Sequence, residues 1–139
     1  MDQLPIGKIA SSAVIIEKGK LLLLKRAGHV LNYPGHWTFP SGGVEETDSS
    51  IRDTVIREVK EEVGLDFIPT KKWNFYESIA NGKRYVALIH LGVSSGKIKL
   101  QKEEVSAWQF FTYKETKQLK LAFAYREVID DLHKAGLIE

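Results

Sequence analysis

The stretch GVEETDSSIRDTVIREVKEEVGL, residues 43–65, decides the fold, because Arg57, Glu58, Glu61 and Glu62 recur in it at helical spacing ahead of Gly64. At about 100° per residue, Glu58, Glu61 and Glu62 share an arc of roughly 100°, since positions three and four apart lie on one helical face. Like charges this close destabilise a helix by about a few tenths of a kcal/mol per pair. A divalent cation among them would turn that repulsion into attraction. Ile51, Val55, Ile56, Val59 and Val63 form an apolar stripe about 90° round the cylinder, so the helix can bury one side and offer its acids to a cleft. The Ser50 hydroxyl suits the N-cap, with Asp53 as a short capping-box acid, and Gly64 suits a left-handed close after Val63.

Outward from this helix the pattern is mostly strand. Residues 9–16 and 21–24 are apolar runs separated by Glu17-Lys18-Gly19-Lys20, which predicts two paired, buried strands. Residues 26–36, broken by Gly28, Pro34 and Gly35, form a candidate binding loop. Trp37-Thr38-Phe39 is read as a short strand entering the turn Pro40-Ser41-Gly42-Gly43. After the helix, residues 72–79 and 84–93 flank Asn81-Gly82, the strongest short hairpin signal in the chain. Residues 105–112 suggest another strand, and Phe123, Val128, Ile129 and Leu132 fit an amphipathic C-terminal helix.

The 139 residues, 43% of them hydrophobic, match one domain spanning residues 1–139. A net charge of +2, with basic residues scattered among acids, gives no argument for nucleic acid as a partner, though it leaves that partner open. The chain has no cysteine, which excludes disulfides and Cys-ligated zinc and fits a cytoplasmic location. No apolar run approaches the roughly 18 residues of a membrane span, and the first ten residues lack a signal-peptide pattern. Oligomeric state is left open.

Carboxylate clusters favour hard cations such as Mg²⁺ or Mn²⁺, and Mg²⁺ usually joins a few carboxylates to waters and substrate phosphates. The residues that carry this chemistry resemble the Nudix box, G-x5-E-x7-R-E-U-x-E-E-x-G-U, with U aliphatic. Gly43, Arg57, Glu58, Val59, Glu61, Glu62, Gly64 and Leu65 satisfy eight of its nine specified sites, and Ser49 stands where the motif has its first Glu. The approach Trp37-Thr38-Phe39-Pro40-Ser41-Gly42 also looks like the family's.

The resemblance implies an α/β fold, an α/β/α sandwich on a mixed β-sheet. It implies a pyrophosphohydrolase using Mg²⁺ or Mn²⁺, with Glu58, Glu61 and Glu62 as metal-binding and catalytic acids, Glu58 a candidate base, and the Gly43 carbonyl a further ligand. Arg57 and Gly64 would be structural members of the box. Arg57 ordinarily pairs with the first Glu, so Ser49 removes its partner, and Asp48 or Glu46 stands near enough to substitute. Glu103 or Glu104 resembles the extra acid that many members bring from a distant loop. The implied substrate is a small-molecule nucleotide, a nucleoside diphosphate linked to another group. Dinucleoside polyphosphates and oxidised nucleoside triphosphates are the leading examples. The alternative is a non-catalytic nucleotide-sensing module on the same fold, for which Ser49 is the argument.

Outside the box, Tyr33, His36 and Trp37 are candidates to stack on a base, with packing as the competing reading and Trp37 the best core candidate. Arg26 and His29 are candidates for substrate phosphates. Tyr76 and Tyr85 lie on opposite arms of the Asn81-Gly82 hairpin and suit either substrate contact or a cross-strand pair. His90 is expected to be a satisfied core histidine. Lys97, Lys99 and Lys102 suit either an anionic substrate or a solvated edge. The acidic helix itself has a plain rival, a solvated face with ion pairs such as Arg57–Glu61.

Overall fold

The computed structural model describes residues 4–101 and 103–139, so Lys102 lies outside the described residues. The order is β1 (Ile6–Glu17), β2 (Lys20–Arg26), β3 (Trp37–Thr38), β4 (Ser41–Gly43), α1 (Ile51–Val63), β5 (Asp66–Ala80), β6 (Lys83–Ser95), β7 (Val105–Phe111), α2 (Tyr113–Thr116) and α3 (Tyr125–Lys134).

The expected pairing of the first two strands is present only beside the turn, at Ile16↔Leu21 and Glu17↔Lys20. Beyond it they diverge. β1 runs parallel to β6 from Ile6↔Arg84 to Ile15↔Gly92 and antiparallel to β4 over Ala10–Ser12. β2 pairs instead with β7 and β3. The resulting mixed sheet has the path β3-β2-β1-β6-β5, with β4 on β1 and β7 on β2. Alternation along β1 assigns the two faces. Ala13 and Ile15 join Leu22, Leu24, Val55, Val59 and Val63 under α1, whereas Val14 joins Leu21, Leu23, Ile89, Val128, Ile129 and Leu132 under α3. This is the expected α/β/α sandwich.

Helix α1 forms as its sequence predicts. The Ser50 hydroxyl accepts from the Asp53 backbone N–H at 3.1 Å, although the reciprocal Asp53 side-chain bond is absent. Gly64 closes the helix at φ 75°, its N–H bonding the Lys60 carbonyl. Three sequence readings need correction. The turn at residues 40–43 contains strand β4, because Ser41 to Gly43 finds a partner in β1. β5 begins at Asp66, earlier than expected, since it is a terminal strand of the sheet and tolerates Pro69 beside a register shift. Phe123 precedes α3 and sits at φ 50°, because Trp37 N–H bonds the Lys120 carbonyl and Ala122 N–H bonds the Trp37 carbonyl, fixing residues 120–122 against β3.

Candidate active site

Glu58, Glu61 and Glu62 all line a single cavity of about 1090 Å³. Lys8, Ser41, Gly42, Gly43, Arg26, Asn32, Tyr85, Phe123 and Tyr125 line it with them. Helix and sheet meet closely here. A Cβ built on Gly42 would lie 2.0 Å from Glu58 Cδ and 2.1 Å from its Oε2, so the missing side chain makes room for that carboxylate. The Ser41 backbone N–H donates to Glu62 Oε1 at 2.9 Å, and the Ser41 hydroxyl meets Tyr125 at 3.2 Å.

Arg57 organises the acids. Its Nε and Nη2 each donate to Asp48 at 2.8 Å, its Nη1 donates to Glu58 Oε1 at 2.8 Å and Glu61 Oε2 at 3.0 Å, and its Nη2 reaches the Gly43 carbonyl at 3.2 Å. The Arg57–Glu61 pair foreseen as an ordinary surface contact therefore exists, as one arm of a larger fork. Asp48, not Glu46, takes the place left by Ser49. Glu46 and Ser49 are both exposed.

Two details of this network bear on how these residues could hold a metal. Among the described residues, no three Asp, Glu, His or Cys side chains are set as a ready-made metal cage, so the three acids share a cavity without converging on one point. The reason is that Arg57 draws Glu58 and Glu61 together while Glu62 turns one oxygen to Ser41. The Gly43 carbonyl, which the resemblance implies as a further ligand, accepts from Arg57.

The electrostatics still favour a cation. Burial pushes the Glu62 carboxyl up to about 8 against the opposing Ser41 N–H, and the charges of Glu58 and Glu104 push it the same way. Glu58 is also raised, by burial first, with Arg57 pulling it down. At Glu58 and Glu62 burial outweighs the nearby charges of Arg57, Lys8 and Arg26, so the cavity concentrates oxygen donors disfavoured as bare anions, a fit to a hard divalent cation. Of the two candidate extra acids, Glu104 rather than Glu103 lines the cavity, and its charge acts on Glu62.

The remaining candidates separate by position. Arg26, His29, Tyr76 and Tyr85 line the cavity, whereas Tyr33 and His36 do not. The Tyr33 ring packs edge-on against Phe123 and His36, and His36 Nδ1 lies against the Pro34 carbonyl, so both anchor the loop. Trp37 is partly buried and packs edge-on against Phe111, at the margin of the core rather than within it. Tyr76 pairs across the hairpin with Ala87, and Tyr85 with Ser78, so the two tyrosines are diagonal neighbours rather than partners. His90, expected to be satisfied, is buried with its Nε2 lacking a hydrogen-bond partner among the described residues.

Sequence reading missed Lys8, Asn32, Phe123 and Tyr125. Asn32 donates to the Tyr85 hydroxyl at 3.1 Å, and its carbonyl accepts from Arg26 Nε at 2.9 Å. The Arg26 guanidinium lies 5.5 Å over the Phe123 ring, which holds its charge at the cavity wall. A lysine in a strand and a Phe before a helix carry no local signal of such roles.

The model of the NUDIX domain matches residues 8–132. The chain belongs to the Nudix family. A MutT Nudix hydrolase from Burkholderia pseudomallei superposes with a TM-score of 0.79 at 26% identity, covering 88% of this chain and 95% of that one. The MutT protein of Methanosarcina mazei Go1, 24% identical, shares the fold with a TM-score of 0.85 over 98% of this chain and 99% of its own. Among curated proteins, the NAD-capped RNA hydrolase NudC of Pseudomonas aeruginosa is 32% identical over 107 residues, 73% of this chain and 35% of its own length. The chain spans 26%, 62% and 35% of the length of three such relatives. Among the described residues, no helix is long and apolar enough to cross a membrane.

Proposed function

We propose that this Nudix protein is a metal-dependent pyrophosphohydrolase that splits the phosphoanhydride of a nucleoside diphosphate linked to another group. The observation that carries the reading is that Glu58, Glu61 and Glu62 line one cavity together with Gly42, Gly43 and the cationic Lys8 and Arg26, whose charges act on Glu58 and Glu62. A bound Mg²⁺ or Mn²⁺ would be held by those carboxylates and would neutralise the pyrophosphate and acidify an attacking water. Arg26, fixed by Phe123 and the Asn32 carbonyl, and Lys8 bind phosphate oxygens and orient the linkage. The water oxygen bonds to phosphorus, the bridging P–O bond breaks, and Glu58 receives the proton released by the water. The leaving phosphate departs as its anion.

A cavity of about 1090 Å³ lies just above the roughly 300–1,000 Å³ usual for small-molecule sites, which favours a substrate with groups on both sides of the pyrophosphate. Dinucleoside polyphosphates meet that description better than oxidised nucleoside triphosphates. The curated similarity to NAD-capped RNA hydrolases adds a nucleotide-capped RNA 5′ end to the panel. The sensor reading rested on Ser49 leaving Arg57 unpaired, and Asp48 supplies that partner.

The test is product release from this panel with Mg²⁺ or Mn²⁺, comparing the native chain with Glu62→Gln. The proposal expects turnover to fall by more than about 100-fold, the scale of lost metal-based charge stabilisation. Tight nucleotide binding without turnover in the native chain would replace it with the sensor.

A further inference from the structure

The acid that anchors this site is at a position the box does not specify. Glu45 N–H donates to Asp48 Oδ2 at 2.9 Å and Asp48 N–H bonds the Glu45 carbonyl at 3.0 Å, a tight turn that points Asp48 inward and leaves Ser49 exposed. The Asp48 side chain is only 4% exposed. Thr54, in the first turn of α1, donates to the same Oδ2 at 2.9 Å, so the carboxylate is tied to loop and helix before Arg57 is considered. Arg57 then meets it side-on, Nε to Oδ1 and Nη2 to Oδ2, both at 2.8 Å, the paired geometry in which a guanidinium is most firmly oriented. With that edge held, Nη1 faces Glu58 and Glu61, with Glu45 Oε1 farther off at 3.6 Å, and Nη2 also reaches Gly43.

We infer that Asp48 is a positioning residue for metal uptake: by holding Arg57 along one edge, it sets the carboxylates of Glu58 and Glu61, which a divalent cation then shares. The assignment rests on the proposed metal site. Two like-charged side chains on adjoining turns, one of them 57% exposed, would otherwise separate into solvent. Arg57 released from Asp48 would also be free to turn its whole fork onto Glu58 and Glu61 and compete with the cation. Both effects weaken metal binding without removing any ligand. Partners that orient ligands in this way typically change metal affinity by about 10–100-fold.

The experiment is a double-mutant cycle read by calorimetric titration with Mn²⁺ and by thermal melting without metal, neither of which needs turnover. Asp48→Asn and Arg57→Lys are each expected to weaken Mn²⁺ binding by about 10-fold or more, and the double variant to bind no more weakly than Arg57→Lys alone. Native-like Mn²⁺ affinity in Asp48→Asn, even with a lowered melting temperature, would reduce Asp48 to a structural role and overturn the assignment. Losses that multiply in the double variant would also overturn it. Should Asp48→Asn fail to fold, the cycle runs with Asp48→Glu, which keeps the charge, and the same non-additivity is required. A native chain that takes up no Mn²⁺ at millimolar concentration would sink the metal site itself, a result distinct from equal binding by native and variant chains.

Discussion

Replacing Gly42 with Ala tests the site at its closest contact. The added Cβ would meet Glu58 Cδ at 2.0 Å, Oε2 at 2.1 Å and Oε1 at 2.4 Å. Ordinary van der Waals contact begins at 3.4 Å, so the Glu58 carboxyl must retreat by about 1.4 Å. What it meets is the tip of a flexible side chain and not backbone, so rotation about its own bonds can absorb the clash. The stability cost should therefore lie near the lower end of the roughly 1–3 kcal/mol typical of overpacking. Function should suffer far more, since a misplacement of about 1 Å can cost about 100-fold in rate. The Glu58–Arg57 bond at 2.8 Å cannot survive that displacement unchanged. The assay pairs melting temperature with turnover and Mn²⁺ titration. A folded Gly42→Ala protein, within a few degrees of the native melting temperature, should lose about 100-fold or more in turnover and bind Mn²⁺ more weakly. Native turnover and native Mn²⁺ affinity in that protein would refute both the crowding argument and the role of Glu58.

Other expectations follow from the same geometry. Glu61→Gln should reduce turnover less than Glu62→Gln, because the Glu61 side chain is 57% exposed while Glu62 is set into the cavity wall against Ser41; equal losses in steady-state kinetics would contradict that ranking. Ser49→Glu, which restores the family's residue, should change stability by no more than about 0.5 kcal/mol in denaturant melts, since Asp48 already fills the Arg57 edge and Ser49 is exposed. A gain of about 1 kcal/mol would show that Arg57 has room for a second acid. His90 is held below its ordinary 6.5 by burial first and then by the charges of Lys72 and Arg52. The unfolded chain therefore binds more protons there, and the contribution of His90 to stability is lost as pH falls below about 6.5. Calorimetric melts of His90→Leu should show a weaker fall in melting temperature between about pH 6.5 and 5, and an unchanged slope would exclude His90 as its source.

Local patterns in the chain reported local structure well. The Ser50 cap, the Gly64 close and the Asn81-Gly82 hairpin depend on interactions within a few residues, and each is readable from residue type and spacing. The acids of the box were legible for the same reason, because helical periodicity puts Glu58, Glu61 and Glu62 on neighbouring turns whatever surrounds them. Failures came where a distant partner decides. Ser41 to Gly43 became a strand because β1 lies beside it, and Phe123 left the helix because β3 holds residues 120–122.

The site divides along the same line. Sequence by itself determined which helix carries the acids, which face it buries, and the family to which the chain belongs. Only the tertiary structure decided that β1 leaves its hairpin partner for β6, that Glu104 and Lys8 come to the cavity, and that Asp48 reaches Arg57 in place of a residue at 49. The physical reason is range. A cap or a helical stripe is an energy between near neighbours along the chain, whereas an ion pair nine residues apart or a parallel strand pairing depends on where the whole backbone turns.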